Sequence, residues 1–326
     1  MKICVIGLGS MGKRRIRLLK RIRPDAVLTG IDQNPERAGS VSEEFEIDTY
    51  ASLEDIKAEQ DCAFVCTPPQ YHGGIIKSCL EKGLHVFSEI NLIDDLYDEN
   101  IRLAEQRGKT LFLSSTPFYK EEMRLIDRRV KENGRACGYR YHVGQYLPDW
   151  HPWDALDDFF ASSKKTNGCR ELLAIELPWL LHTFGEIEHM HVVKGRFTGL
   201  GLEFPDTYFI QMEHADGSVG SLVIDVVSRE AVRKLEVFHE DFYIRWDGTP
   251  DSLYEKDILS GEMKQVPAGD YIHEEGYGEF INEYAYAKEI EEFFKVTEGQ
   301  KTAYGFKEDK ETLKLISEIE SQGDKV

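Results

Sequence analysis

No apolar run in this chain of 326 residues approaches the roughly 20 that a membrane-spanning helix needs. No basic-then-apolar leader precedes MKICVIG, which already reads as a strand. Neither a membrane span nor a secretory signal is expected. Cysteine is scarce and unclustered, with six residues at 4, 62, 66, 79, 137 and 169 and no zinc-type Cys-x-x-Cys pair. Four of them sit inside apolar stretches, where cysteine behaves as a small buried hydrophobe, and that usage fits a reducing cytoplasm. Positive charge is short as well: 40 Lys and Arg stand against 59 Asp and Glu, a net of −19. Nucleic acid is a poor partner for such a chain. Its one basic cluster, KRRIRLLKRIR at 13–23, spreads its charges around a helix that also carries Ile16, Leu18, Leu19 and Ile22. It reads as a solvated helix face whose first turn could lie near something anionic. Internal repeats and low-complexity tracts are missing too.

What is present is the make-up of an ordinary globular protein, 41% hydrophobic and 30% charged. The length exceeds one small core, so two domains are expected. Apolar strands read KICVIG (2–7), VLTGID (27–32), CAFVCTP (62–68), LHVFSE (84–89) and TLFLSS (110–115), with helical stretches between them. Near-continuous apolar strands alternating with helices predict a parallel sheet covered on both faces. The character changes near residue 118. A helix (118–133) leads to RACGYRYHVGQYL, which alternates with period two. A WHPW loop (150–153) then precedes the apolar helix RELLAIELPWLLHTF (170–184). Alternating runs follow, among them HMHVVKGRF, DTYFIQMEH, VGSLVIDVV, KLEVFHE and FYIRW, and predict an antiparallel sheet with one face on helices. Amphipathic helices at 280–296 and 306–321 end the chain. The expected fold class is α/β: a doubly wound parallel sheet over 1–118, then an α+β domain with a largely antiparallel, open-faced sheet over 119–326.

GLGSMG (7–12) is a Gly-x-Gly-x-x-Gly motif that follows a strand and opens a helix, and Asp32 ends the next strand twenty residues after Gly12. Alone the motif is weak; in that context it specifies a Rossmann-type dinucleotide site. Gly7 allows the tight turn, Gly9 lets the backbone approach a pyrophosphate, and Gly12 lets helix and strand pack closely. The pyrophosphate would rest on the helix N-terminus at Ser10, Met11 and Gly12. Asp32 would accept from the adenosine ribose hydroxyls and repel a 2′-phosphate, which favours NAD, while Arg37 leaves NADP open. A dinucleotide in a chain of this kind points to hydride transfer.

The pattern continues as CTPPQYHGGIIKSCLEKGLHVFSEINL (66–92). It resembles the glucose–fructose oxidoreductase and inositol dehydrogenase (Gfo/Idh/MocA) family in Thr67-Pro68, His72 and Gly83-Leu84-His85-Val86. The resemblance covers nearly the whole chain, since domain order and the helix-rich C-terminus also agree. It implies that Thr67, Pro68, His72 and Glu89 border the cofactor. In the family the last strand ends in Glu-Lys-Pro, and the lysine orients the substrate hydroxyl. Here the triplet is Glu89-Ile90-Asn91, so that lysine is gone. The family's Asp-x-x-x-His, one helical turn apart and facing the nicotinamide, corresponds to Glu171 and Ile175, so the acid is kept in type and the histidine is lost.

Hydride transfer at an alcohol carbon still needs a group to exchange the hydroxyl proton. Glu171 is the first candidate, because burial could raise its pKa toward neutrality. His182, lower on the same helix stripe, is the second by titration range. Lys120, at a helix start, is the third. Glu176 points away from the stripe unless Pro178 breaks the helix and redirects it. Each has an ordinary structural alternative: a capping or paired carboxylate, a core histidine, a solvated lysine. Trp150, His151 and Trp153 lie where the family keeps substrate-contacting loops and offer an aromatic, hydrogen-bonding surface for a sugar ring or nucleobase, or else plug the packing. His189-x-His191 has no partner cluster, and no metal is expected.

These residues lead to an NAD(P)-dependent oxidoreductase acting on a sugar, cyclitol or sugar nucleotide. The alternative is a dinucleotide-binding sensor or assembly partner that has lost its chemistry. An open antiparallel sheet face also favours a homodimer or homotetramer through the C-terminal sheet.

Overall fold

Six short parallel strands build the first sheet of the computed structural model, which describes residues 1–150, 156, 159–273 and 280–322. They are β1 (Lys2–Ile6), β2 (Val27–Ile31), β3 (Asp48–Tyr50), β4 (Cys62–Val65), β5 (His85–Ser88) and β6 (Leu111–Leu113), in the order β3-β2-β1-β4-β5-β6. The reversal of strand order between β1 and β4 is the switch point at which such sheets bind ligands. Helices α1 (Ser10–Ile22), α2 (Pro35–Phe45), α3 (His72–Glu81) and α4 (Tyr97–Arg107) connect the strands. Asn34 caps α2 by accepting from the Glu36 and Arg37 amides, with Pro35 at the first helical position. The edge strand β3 is three residues long, too short to carry a period in the sequence.

The second sheet follows α5 (Glu121–Asn133) and is split by the long helix α6. Its strand β7 (Gly138–Gly144) comes before α6 (Gly168–Phe184). After α6 come β8 (Ile187–Gly195), β9 (Thr207–His214), β10 (Val219–Asp225), β11 (Val232–His239), β12 (Phe242–Trp246), β13 (Tyr254–Lys256) and β14 (Met263–Gln265). The order is β14-β13-β12-β11-β7-β10-β9-β8, and β7 with β10 is its one parallel pair. Alternation works as expected. Tyr139 and Tyr141 of β7 point to the helix side, where Tyr139 stacks on Phe184 and Tyr141 meets Trp179 edge-on. On the other face the ladder aligns Val193, Phe209, Val223, His142 and Lys234 in one row across five strands.

Two helices end the chain, α7 (Glu283–Thr297) and α8 (Phe306–Ser321). The chain divides into one unit of Met1–Ser115 with Tyr286–Leu313 and another of Thr116–Ala285 with Lys314–Val326. This differs from a single boundary near 118, and aromatic packing gives the reason. Phe64, Phe87 and Phe112 stack across β4, β5 and β6, and Phe293 of α7 sets its edge against all three at 5.2–5.8 Å. The parallel sheet therefore takes the cover for one face from the far end of the sequence.

Candidate functional site

The glycine loop is shaped by close approaches that only glycine permits. Gly7 has φ of +90°, and a Cβ there would come within 2.7 Å of the Thr67 amide nitrogen. A Cβ on Gly12 would sit 2.0 Å from the Gly7 carbonyl oxygen. Gly9 is different: a Cβ would meet nothing within 4 Å, so the backbone there faces open space. Gly9 is also the N-cap of α1, supplies no capping side chain, and no acid follows in the first turn. The amides of Ser10, Met11 and Gly12 thus lack an acceptor within the helix and stand at its positive end. That arrangement fits a pyrophosphate.

Asp32 lies just past β2 with its carboxylate largely buried. Its Oδ2 accepts from the Leu8 amide at 2.8 Å and from Arg37 at 3.2 Å, and Oδ1 accepts from the Asn34 amide at 2.9 Å. The acid therefore fixes the glycine loop, while half-exposed Arg37 is the displaceable one of its partners. After β4, the Thr67 hydroxyl is buried and has no hydrogen-bond partner among the described residues. An orphaned donor beside the Gly7 turn is a group the dinucleotide would satisfy. Pro68, next to it, is exposed.

Glu89 and His72 have their polar atoms committed to protein partners. Arg15 grips Glu89 through two bonds, Nε to Oε1 at 2.5 Å and Nη2 to Oε2 at 3.1 Å. The same Nη2 donates to Glu289 of α7 at 2.7 Å, and Ser114 and the Ser115 amide donate to the other Glu289 oxygen at 3.0 and 2.7 Å. The helix read as a solvated face is thus corrected at two positions, since Arg14 and Arg15 are 2% and 0% exposed. Burial disfavours the Arg15 charge, but Glu89 and Glu289 outweigh it and hold the guanidinium protonated. His72 is fully buried, with Nε2 2.6 Å from the Thr67 carbonyl and Nδ1 2.6 Å from Asn91 Oδ1. Burial draws its pKa below the usual value.

In the second unit, Asn167 caps α6 by accepting from the Arg170 amide, which places Glu171 in the first turn. Glu171 is half-buried, its Oε2 has no partner among the described residues, and burial pushes its pKa up to about 7. Ile175, one turn on, is half-buried. The helix continues through Pro178 without a break, so the redirection of Glu176 does not occur. Glu176 instead faces the sheet, accepting from Tyr141 at 2.7 Å and Trp179 at 2.9 Å and pairing with Arg233 at 2.7 Å. Lys120 is buried and donates to the Phe280 carbonyl at 3.3 Å; burial, then Arg233, lowers its pKa to about 8. His182 is at the surface, 2.9 Å from the Lys131 ammonium and 3.7 Å from Asp127. Trp150 is half-buried, donates to the Gln145 carbonyl at 3.1 Å and sets its ring edge-on to Phe159. His151 and Trp153 lie outside the described residues.

Sequence reading did not single out Arg15, Glu289, Asn91, Glu122 or Arg233. Asn91 carried a signal, a polar residue in the third place of its triplet. Glu122 is 1% exposed with neither carboxylate oxygen bonded among the described residues, and burial raises its pKa.

Residues 1–114 match the Gfo/Idh/MocA family, described as an oxidoreductase family with an NAD-binding Rossmann fold. The UDP-N-acetylglucosamine 3-dehydrogenase of Acidithiobacillus ferrooxidans is 23% identical over 272 residues, covering 82% of this chain and 80% of that one. Among solved structures, an oxidoreductase from Agrobacterium radiobacter in complex with NAD+, L-tartaric acid and magnesium superposes with a TM-score of 0.81. It is 13% identical, over 99% of this chain and 97% of that one. Levoglucosan dehydrogenase in complex with NADH and levoglucosan gives 0.79 at 16% identity, over 98% and 96%. At such identities the likeness establishes the fold across both units. Residues 1–114 carry the NAD-binding Rossmann fold of the Gfo/Idh/MocA oxidoreductase family, and the solved structures share the fold of nearly the whole chain.

Proposed function

We propose that this protein is an NAD-dependent oxidoreductase acting on a secondary alcohol of a carbohydrate-type substrate, a sugar or sugar nucleotide, with Glu171 exchanging the hydroxyl proton. One observation carries the reading: Glu171, in the position of the family's acid, has an oxygen with no partner among the described residues and a pKa that burial pushes up to about 7. A general base works best when its pKa lies near the operating pH. When bound, NAD supplies the hydride acceptor. The chain's own part is to hold the pyrophosphate at the Ser10–Gly12 amides, to offer Asp32 to the ribose, and to take the hydroxyl proton at a Glu171 oxygen as the carbonyl forms. Lys120 and His182 are weaker choices, since Lys120 is donated to a backbone carbonyl and His182 shares Lys131 and Asp127 at the surface. The named dehydrogenase relative acts on a sugar nucleotide, which supports the substrate class. Asp32 supports NAD over NADP, and Trp150 is retained as a substrate contact by its place ahead of α6.

The exposed sheet face, with Val193, Phe209 and Phe238 each about 40% exposed, supports a second copy docked there. Phe209→Lys would then lower the mass in solution measured by light scattering. The six free cysteines support a reducing compartment.

A second reading is favoured by Ile90 and Ile175, which stand where the resemblance places a lysine and a histidine: a dinucleotide sensor without turnover. The test is absorbance at 340 nm with NAD+ and a panel led by UDP-N-acetylglucosamine, with Gly9→Glu as the control that blocks the pyrophosphate. NADH formation by the wild type alone supports the enzyme. NAD binding without turnover in either direction across the panel moves the assignment to the sensor.

A further inference from the structure

His72 and Asn91, each 1% exposed, form a buried hydrogen-bonded pair of the first unit, next to the residue that abuts the glycine turn. The His72 Nε2 meets the Thr67 carbonyl at 2.6 Å, and Nδ1 meets the Asn91 amide at 2.6 Å. Asn91 also donates to Ser88 Oγ at 3.4 Å, and Ser88 Oγ donates to the Glu89 carbonyl at 2.9 Å.

We propose that Asn91 and His72 act as a positioning relay for the dinucleotide, holding Thr67 so that its hydroxyl and the glycine turn it abuts keep the geometry that binds NAD. The inference rests on the NAD-binding fold and not on the proposed substrate. Donor and acceptor logic fixes the grip. A carbonyl oxygen only accepts, so Nε2 must carry a proton. The Nε2–H bond to Thr67 is the same whichever way the Asn91 amide is turned toward Nδ1. Thr67 is the right residue to hold. Its amide nitrogen lies against Gly7, and its hydroxyl is the orphan of the site. Asn91 is the residue to test, because its amide holds the far ring nitrogen of His72.

The test is NAD+ affinity by calorimetry for the wild type, Asn91→Leu and Phe293→Leu, the last a destabilised control in the aromatic cluster of the same unit. Asn91→Leu is expected to weaken NAD+ binding about tenfold, with Phe293→Leu binding like the wild type at a comparable loss of Tm. Equal affinity of Asn91→Leu and the wild type, or equal losses in both variants, would overturn the relay. A wild type that does not bind NAD+ would overturn the cofactor assignment and the relay with it. Should Asn91→Leu not fold, 15N spectra of the histidines in the wild type decide: His72 must carry a proton on Nε2, and a bare Nε2 would overturn the proposal.

Discussion

Two sets of carboxylates, one in each unit, are held in opposite ways. In the first, Arg15 stands between Glu89 and Glu289, and serine hydroxyl and amide donors complete the cluster. In the second, Glu122 is buried and Glu171 half-buried, and both keep carboxylate oxygens with no partner among the described residues. Taking a carboxylate from water without a partner is costly, and a fold keeps such a cost where the free group does something. The first unit pairs its buried cluster and leaves open amides for a ligand; in the second, Glu176 is satisfied by Tyr141, Trp179 and Arg233, while Glu122 and Glu171 stay uncompensated among the described residues. The contrast teaches that binding and chemistry can be separated by mutation.

The largest expected effect is on turnover. Glu171→Gln should lower kcat about 10²- to 10⁴-fold while NAD+ affinity, read by calorimetry, stays at the wild-type value. Stability should move the other way. Because its folded pKa of about 7 lies above the unfolded one, Glu171 costs nothing below the unfolded pKa and destabilises progressively as pH rises through about 7. Glu171→Gln should therefore raise Tm at pH 8 and leave it nearly unchanged at pH 4.

Removing a partner from the finished cluster should do the reverse. Glu89→Leu leaves Arg15 with Glu289 alone and should cost about 3 kcal/mol in denaturant unfolding. A neutral result would mean that Glu89 is held for the ligand and not for Arg15. The smallest effect belongs to Arg37→Ala. Losing an exposed guanidinium that a 2′-phosphate could use should shift preference a few-fold further from NADP toward NAD, measured as the ratio of dissociation constants. A shift toward NADP would contradict the geometry drawn for Asp32.

The glycine loop was legible because its evidence is local: strand, turn, helix and the acid of the next strand fall within one stretch of chain. The alternating runs of the second sheet were legible for the same reason. The role of Arg15 was not. Its partner Glu289 is 274 residues away, and a helix with charge on every side gives no clue to which arginine turns inward. Pro178 misled in the opposite direction. It removes one N–H from α6, yet its neighbours Leu177, Trp179 and Leu180 are buried, and that packing keeps the helix continuous through it. The hairpin of β13 and β14 rests on strands of three residues, below the length at which period two can be read. Asn91 shows what remained hidden in plain view: the missing lysine and proline drew notice, and the side chain that replaced the proline holds His72, whose other nitrogen meets the Thr67 carbonyl.

The most direct test of the account is the pH dependence of NAD+ reduction at 340 nm, once a carbohydrate substrate from the panel is turned over. The account predicts that kcat rises with pH to a plateau above about 7 and that Glu171→Gln loses both the rate and the inflection. A variant that keeps the wild-type profile would contradict it, and proton exchange would have to be sought at another group.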